Sequence, residues 1–262
     1  MERLEEILKE IRDLTLPKEN FSIIFSSDKT DYTTNFSPML YLNPKKRFEL
    51  ALVNLETYNS IPNVDGTNNT FVYSSDNGTT WKTIRIPEGC YEIPQINAAI
   101  QRQFEVNGHW NSTAVPKSHY ITVGANSSTL RAYVEISHAT YRVNFAQSTI
   151  RSMLGFNPKT LRSGYHEGDN PVDILKVNTI LVNCDIISGS YRNGSQTPVV
   201  YSFFPDVSPG YKIVESPNNL VYLPVAPAGD VQRMRVWLTD QDGQQLNLRG
   251  ETITIRFHIR GV

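Results

Sequence analysis

The chain has 262 residues, with 25 Lys and Arg against 26 Asp and Glu, and a formal net charge of −1. Hydrophobic residues make up 39% and aromatic residues 10%, enough for a packed core, which argues against wholesale disorder. The balanced charge gives no basic excess for strong binding to nucleic-acid phosphates. No stretch approaches the roughly 20 apolar residues of a membrane span, and the charged N-terminus predicts no cleaved secretory signal.

Residues 1–16 are predicted to form an amphipathic helix that Pro17 ends. Its apolar residues recur at spacings of three and four and therefore share one face; they are Leu4, Ile7, Leu8, Ile11 and Leu14. Because a helix of this length is marginal alone in water, we expect its apolar face to dock on the chain's own domain, on a second copy or on another protein.

From residue 17 onward, apolar runs separated by turn signals predict about a dozen short strands. The candidates span residues 21–25, 39–42, 48–58, 68–73, 81–86, 120–123, 130–136, 141–145, 177–187, 199–204, 211–214, 220–225, 231–238 and 252–259. Segments 26–35 and 157–173 are predicted to be polar loops. The last strand alternates most cleanly, which predicts a half-buried antiparallel strand with one apolar face: Ile253, Ile255, Phe257 and Ile259.

Two short helices are predicted between strands. The first, in YEIPQINAAIQRQF, has Pro94 in its first turn and one apolar face formed by Ile93, Ile96, Ile100 and Phe104. The second is IRSMLGF, with Ser148 as the predicted N-cap and Gly155 in a C-cap position.

The predicted strands and helices do not alternate as in βαβ units. The sequence therefore predicts an all-β protein, an antiparallel β-sandwich of the single jelly-roll type with elaborated loops and short inserted helices. The predicted division is an N-terminal arm, residues 1–16, and one domain, residues 17–262.

The search for chemistry is mostly negative: the chain has no P-loop, GxGxxG, HExxH or GxSxG motif. We predict no catalytic, metal or cofactor site and no enzymatic activity. Cys90 and Cys184 have no partner at metal-ligand spacing and are predicted to be reduced, mostly buried thiols, in agreement with synthesis in a reducing intracellular compartment.

Several polar groups were weighed as sites. The cluster at residues 166–169 favours an exposed loop, and residues 240–243 favour a hairpin turn over a calcium loop, because the downstream Glu of an EF-hand is missing. Asp28, Asp31 and Asp65 could supply paired carboxylates for glycoside hydrolysis, a weak hypothesis without their spacing.

Exposed tryptophans on a β-sandwich can stack on sugar rings. Trp81 and Trp237 lie in predicted strands and are assigned to the core. Trp110, in NGHWNST, lies in a predicted loop and is the best candidate for an exposed ligand contact.

Four segments together carry a family resemblance: PMLYLNPKKRFELALVNLETYNSIPN, IPEGCYEIPQINAAI, IRSMLGF and RVWLTDQDGQQLNLRGETITIRFHIR. They resemble the minor capsid (penton) proteins of Polinton/Maverick elements and related adintoviruses, over roughly residues 36–260. The resemblance implies a single jelly roll, five copies of which form the capsomer at each icosahedral vertex of the virion. It also implies a double jelly-roll major capsid protein as neighbour.

A structural capsid protein is thus the preferred function. The hypothetical assembly contact, to a neighbouring subunit or an internal capsid partner, is the apolar face of residues 1–16, formed by Leu4, Ile7, Leu8, Ile11 and Leu14. The alternatives are a carbohydrate- or receptor-binding β-sandwich module and, least favoured, an enzyme. Near-zero net charge suits a chain that packs against copies of itself.

Overall fold

The computed structural model describes residues 19–226 and 229–262, so the predicted N-terminal helix lies outside the described residues. Within those ranges the strands are, in chain order, β1 (Asn20–Ser27), β2 (Asp31–Leu42), β3 (Phe48–Tyr58), β4 (Thr70–Ser74), β5 (Lys82–Arg85), β6 (Trp110–Asn111), β7 (Ser118–His119), β8 (Ile121–Asn126), β9 (Arg131–Ile136), β10 (Arg142–Asn144), β11 (Thr160–Leu161), β12 (Gly164–Glu167), β13 (Ile180–Cys184), β14 (Ser190–Arg192), β15 (Ser195–Thr197), β16 (Val199–Phe203), β17 (Lys212–Glu215), β18 (Leu223–Pro224), β19 (Gly229–Thr239) and β20 (Ile253–Gly261). Helix α1 (Ile93–Val106) and a 3-10 helix (Thr149–Arg151) lie between strands.

The described residues form two compact units. The jelly-roll unit contains the chain up to Asn59 and again from Asn178 to Val262, and the insertion unit spans Ser60–Val177. The predicted division of the chain at residue 17 falls on residues outside the described part, and it stays a prediction.

The jelly-roll unit consists of two four-stranded antiparallel sheets, ordered β1-β20-β3-β17 and β16-β13-β19-β2, with β18 also paired to β3. Along the chain, β1, β3, β17 and β20 fall in the first sheet and β2, β13, β16 and β19 in the second. Eight strands distributed in this way over two sheets make a jelly roll. The predicted fold class is confirmed, with the insertion unit in the connection between the third and fourth strands.

Strand β20 shows why this sequence forms the sheet. Its inward residues are all fully buried, while the intervening threonine, arginines and histidine face the other way; the buried set is Ile253, Ile255, Phe257 and Ile259. Strand β3 pairs beside it but does not alternate cleanly. Leu50, Ala51 and Leu52 are all buried, and a register shift between Arg256 and Phe257 of β20 places a bulge at Val53. The bulge reverses the inward positions, which explains the irregular apolar pattern.

The insertion unit has small sheets ordered β11-β10-β4-β5 and β12-β9-β8, together with α1. The backbone N–H of Glu92 donates to Gln95 Oε1 at 2.9 Å at the start of α1, and Pro94 lies in the first turn as predicted. The apolar face of α1 is buried in the core of this unit as predicted, through Ile93, Ile96, Ile100 and Phe104.

Several local predictions are wrong. Residues 31–35 belong to β2, and residues 160–161 and 164–167 form β11 and β12, where loops were expected. These segments lie in or beside edge strands, whose solvent-facing residues are polar and whose pairing depends on the partner backbone. Ser148 does not cap the second helix, which is only the 3-10 turn Thr149–Arg151. Its hydroxyl instead accepts from the N–H of Val72 at 2.9 Å and donates to the carbonyl of Asn144 at 2.7 Å.

The two tryptophans assigned to the core, Trp81 and Trp237, are only half-buried. The guanidinium of Arg235 lies 4.6 Å from the centre of the Trp237 ring, which covers part of that ring on the solvent side. Gly155 has the predicted C-cap conformation, with φ of +73°, and a Cβ there would lie 2.2 Å from the carbonyl oxygen of Asn170.

Replacing Phe257 with alanine tests the core of the jelly-roll unit. The ring is fully buried and meets Phe25 edge-on at 6.0 Å, so Phe257→Ala should lower the free energy of unfolding by about 3–5 kcal/mol. Arg256→Ala, one residue earlier on the exposed face, is the matched control and should change it by less than about 0.5 kcal/mol. Equal effects of the two variants on urea unfolding would contradict the assignment of faces.

Candidate assembly surface

The two sheets of the jelly-roll unit meet at both lateral edges. On one edge the rings of Phe25 in β1 and Tyr32 in β2 lie 5.7 Å apart, edge to face. On the opposite edge Tyr201 of β16 donates its hydroxyl to Glu215 of β17 at 2.8 Å. Burial, followed by this carboxylate, raises the pKa of Tyr201 to about 12, so the hydroxyl remains a donor. We call these the β1/β2 edge and the β16/β17 edge.

Large apolar side chains are exposed at the β1/β2 edge. Ile24 on β1 is 56% exposed, and Met39 and Tyr41 on β2 are 48% and 56% exposed. Single exposed apolar residues are common on protein surfaces, but several on the two outer strands make this edge a candidate contact surface. Among the described strands no neighbour pairs with the outer side of β1 or β2.

The β16/β17 edge is also apolar. Phe204 directly after β16, Tyr211 directly before β17 and Val214 within β17 are 71%, 68% and 58% exposed. Beside them lies a groove of about 540 Å³ between β16, the β14–β15 hairpin and the segment that leads into β18. Its lining is mixed: the apolar part is Leu181, Val199, Val200, Tyr201, Val221 and Leu223, and the polar part includes Thr179, Ser190, Thr197, Ser202 and Gln241. Arg192 is the one charged residue among the described residues that line it.

Two of the three carboxylates that could serve glycoside hydrolysis, Asp31 and Asp65, are engaged in ion pairs, while Asp28 is exposed in the turn between β1 and β2. Asp31 accepts from Arg235 Nη2 at 2.6 Å, and this hydrogen bond lowers the pKa of Asp31. Asp65 pairs with Lys176; although burial opposes it, hydrogen bonds from Lys176 and Thr67 lower the pKa of Asp65 to about 2. Both carboxylates therefore stay ionised at neutral pH, which does not suit a general acid.

The predicted loop cluster at residues 166–169 divides between two structural roles. Glu167 ends β12 and accepts from Asn126 Nδ2 at 2.9 Å and from Thr129 Oγ1 at 2.6 Å. Asp169 pairs with Lys159 Nζ at 2.8 Å. Within residues 19–226 and 229–262, no three His, Cys, Asp or Glu side chains lie close enough to hold a metal ion.

Trp110 lies in β6, not in a loop, and is half-buried. Lys117 Nζ lies 4.6 Å from the centre of its ring, and the same ammonium pairs with Glu105 at 2.6 Å. His119 also contacts Glu105, at 2.9 Å. One face of the indole is thus occupied by a lysine, which leaves less of it available to a ligand than the sequence indicates.

A different aromatic pair is exposed on the sheet of β8, β9 and β12. The rings of Tyr133 and Tyr165 are stacked with centres 5.0 Å apart, and Tyr165 is 56% exposed. Gly124 lies opposite Tyr133, and a Cβ there would lie 2.2 Å from the Tyr133 ring. The missing side chain therefore lets that ring lie across the sheet. Burial and the nearby Glu167 raise the pKa of Tyr165, whose hydroxyl stays protonated.

Cys90 and Cys184 are both free thiols, half-buried and buried respectively. Burial raises the pKa of Cys184 to about 12, which makes it unreactive. The predicted assembly residues Leu4, Ile7, Leu8, Ile11 and Leu14 lie outside the described residues. Among the described helices none is long and apolar enough to cross a membrane.

The sequence reasoning missed the two apolar edges, the groove and the tyrosine pair. Exposed aromatics beside turn residues, such as Phe204 before Pro205 and Tyr211 after Gly210, are a signal that could have found one edge. The groove could not be found in this way, because its walls come from strands far apart in sequence.

These features define a single jelly roll with a large insertion and two apolar lateral edges. Among solved structures, the crystal structure of selenomethionine-labelled mavirus penton protein is similar, with a TM-score of 0.52 over 94% of this chain and 99% of that chain, at 11% sequence identity. At 11% identity the similarity concerns the fold alone and not the function. The chain has the fold of the mavirus penton protein, which confirms the predicted penton resemblance at that level. No protein-family model and no curated protein matches it.

A neutral histidine connects three elements of the insertion unit. Lys82 Nζ lies 3.3 Å from His109 Nε2, and Tyr73 Oη lies 2.9 Å from its Nδ1. Asn107, which follows α1, donates to Tyr73 Oη at 3.1 Å. Because the ammonium can only donate, Nε2 must accept and Nδ1 carries the proton. Burial and the charge of Lys82 lower the pKa of His109.

This arrangement predicts a pH dependence of stability. His109 has a lower pKa in the folded chain than the roughly 6.5 of an unfolded histidine, so the unfolded chain binds more protons at acidic pH. The free energy of unfolding should therefore fall as the pH drops below about 6.5, and it should level off below the pKa of His109 in the folded chain. His109→Gln should make this decline smaller, and Lys82→Met should reduce it in part. Urea unfolding at pH 7.5 and 5.5 measures the difference; an identical decline in all three proteins would contradict it.

Proposed function

We propose that this chain is a penton-type minor capsid protein, and that five copies form the capsomer at the icosahedral vertices of a Polinton/Maverick-type virus particle. The observation that carries the proposal is the shared jelly-roll fold with the mavirus penton protein over 94% of this chain. The sequence phrases that resemble Polinton/Maverick and adintovirus minor capsid proteins support it independently. The proposed location is the virion, after synthesis in a reducing compartment of the host.

The two apolar edges give the proposal a physical basis. They lie on opposite sides of the sandwich and carry different residues, so contact between copies through them is head-to-tail. A head-to-tail contact that closes on itself produces a ring, and one that does not close produces a filament. A vertex capsomer needs the closed form. The number five comes from the family resemblance.

Electrostatics favours such contacts. The chain carries a formal net charge of −1, so copies repel one another weakly. On the outer face of the first sheet two pairs of charged side chains are formed, Arg260 with Glu49 at 2.8 Å and Lys212 with Glu56 at 2.5 Å. The proposed outer partner is a double jelly-roll major capsid protein. This role needs no catalytic residue, and we propose that the chain is not an enzyme.

The ring is tested by native mass. The full-length chain should assemble to five times its 29.7 kDa, and Tyr41→Asp, which places a charge on the β1/β2 edge, should reduce the ring fraction at least about tenfold, because an unpaired buried charge opposes contact. Leu130→Asp, equally charged but placed at an exposed position of the insertion unit, is the control and should assemble normally. Co-expression with the major capsid protein should then yield closed shells. A full-length chain that stays monomeric would overturn the proposal.

A second candidate function, carbohydrate binding, is favoured by the tyrosine pair. Exposed aromatic rings can stack on the apolar face of a pyranose, and flanking carboxylates accept hydrogen bonds from its hydroxyls. Tyr165 pairs across the strands with Glu135, and Tyr133 with Glu167, so both groups are present on one face. This activity could coexist with the capsid role, since it uses the insertion unit alone.

A glycan array tests this second function. Binding should be lost in Tyr165→Ala, which removes the more exposed ring, and retained in Trp110→Ala, since Lys117 already covers one face of that indole. If binding were lost in Trp110→Ala and kept in Tyr165→Ala, the glycan site would be at Trp110, as expected from the sequence. If the unmodified chain bound no glycan, neither aromatic site would bind carbohydrate.

A further inference from the structure

We infer that the groove at the β16/β17 edge receives the N-terminal segment, residues 1–16, of the neighbouring copy in the ring. This inference rests on the proposed ring-forming function and specifies which surfaces join its subunits. The occupant is a named part of the same chain, and the receiving surface consists of described residues.

The groove and the segment match in chemistry. The groove combines apolar side chains, such as Leu181, Val199 and Val221, with polar ones, and its volume of about 540 Å³ lies in the range of clefts that bind ligands. The apolar residues of the segment follow the i, i+3, i+4, i+7 pattern of helices that dock in apolar grooves; they are Leu4, Ile7, Leu8 and Ile11. A helix too short to be stable alone gains order by docking.

The segment and the groove differ in charge. Residues 1–16 contain five acidic and three basic side chains, so the segment is acidic. The one charged residue among the described residues that line the groove is Arg192, and its side chain is exposed. Its guanidinium donates to the carbonyl of Gln241, which holds the positive charge at the rim. The charges of occupant and groove are thus complementary.

The segment leaves the fold at the start of β1. The described chain begins at Glu19, whose carbonyl accepts from the N–H of Gly261 at 2.8 Å and whose carboxylate pairs with Lys46 at 3.0 Å. This contact fixes the exit of the segment at the β1/β2 edge. The groove lies at the opposite edge. A copy whose β16/β17 edge faces this β1/β2 edge therefore presents its groove beside the exit.

Strand register gives the distance from the exit of the segment to the groove of the same chain. In the first sheet, Asn20 pairs with Arg260, Arg260 with Glu49 and Glu49 with Pro224, next to the groove residue Leu223. Three strand spacings separate the exit from the groove, about 14 Å. From Leu14 to Asn20 the chain makes six residue steps, which span at most about 21 Å when fully extended. Length therefore permits docking in the same chain as well as in the next copy, and the identity of the cross-linked chains separates the two arrangements.

Disulfide trapping tests the inference. In a Cys90→Ser background, which removes the partly accessible thiol, Ile7→Cys is combined with Val221→Cys, a groove residue that is 61% exposed. After native mass has confirmed rings, mild oxidation should give a ladder of covalent oligomers up to five chains on a non-reducing denaturing gel. The matched control replaces Ile7→Cys with Lys9→Cys, on the polar face of the segment, and should give at least about tenfold less product.

The outcomes are separable. Rings without cross-links, or with a disulfide confined to single chains, would overturn the groove inference and leave the proposed function standing. A full-length chain that forms no ring would overturn the proposed function and the inference with it. Equal ladders from the Ile7→Cys and Lys9→Cys proteins would show that the segment is near the groove without docking its apolar face, and would also overturn the inference.

Discussion

The burial of one face of β20 is the interaction on which the jelly-roll unit depends. This strand pairs with β1 on one side and β3 on the other, and its four inward side chains are all fully buried. Burial of aliphatic and aromatic side chains contributes about 1.5–3 kcal/mol each, so four of them contribute roughly as much as the whole net stability of a domain. The ring of Phe257 packs against Phe25 of β1 with centres 6.0 Å apart, and Phe25 packs against Tyr32 of β2 at 5.7 Å. These contacts connect the core side of β20 to the second sheet.

A central β20 leaves other strands at the edges. The outer strands are β1 and β17 in one sheet and β2 and β16 in the other. Edge strands present unpaired backbone groups, and natural proteins usually protect them with charges, prolines or bulges. Here β2 carries Pro38 and an irregular register, and β17 carries Lys212 and Glu215. The same strands nevertheless also expose Ile24, Tyr41 and Val214. Edges of this kind are a liability for a monomer and an advantage for a subunit, which is the physical reason to connect this jelly roll with assembly.

The elements predicted most accurately from the sequence are those in which burial restricts the residue type. The bounds of β3 match those predicted, those of β20 differ by at most two residues, and the buried face of α1 is correct to the residue, because a core-facing position tolerates few alternatives. Prediction failed at β12, whose pairing with β9 places no demand on its polar side chains. The groove was beyond sequence reasoning for a different reason: Leu181, Val199 and Val221 become neighbours only through the strand order.

The insertion unit adds surface without disturbing the strands that form the edges. Asn59, where the chain leaves the jelly-roll unit, binds the segment before β17 through its N–H to Tyr211, its carbonyl to Gly210 and its side chain to Val207, at 2.9, 2.8 and 2.7 Å. The exit of the chain is therefore held by local hydrogen bonds within the jelly-roll unit. Because the entropy of closing a loop rises only slowly with its length, even a domain-sized insertion there costs the sandwich little. The tyrosine pair of the insertion unit and the edges of the jelly-roll unit thus belong to different units and can serve separate contacts.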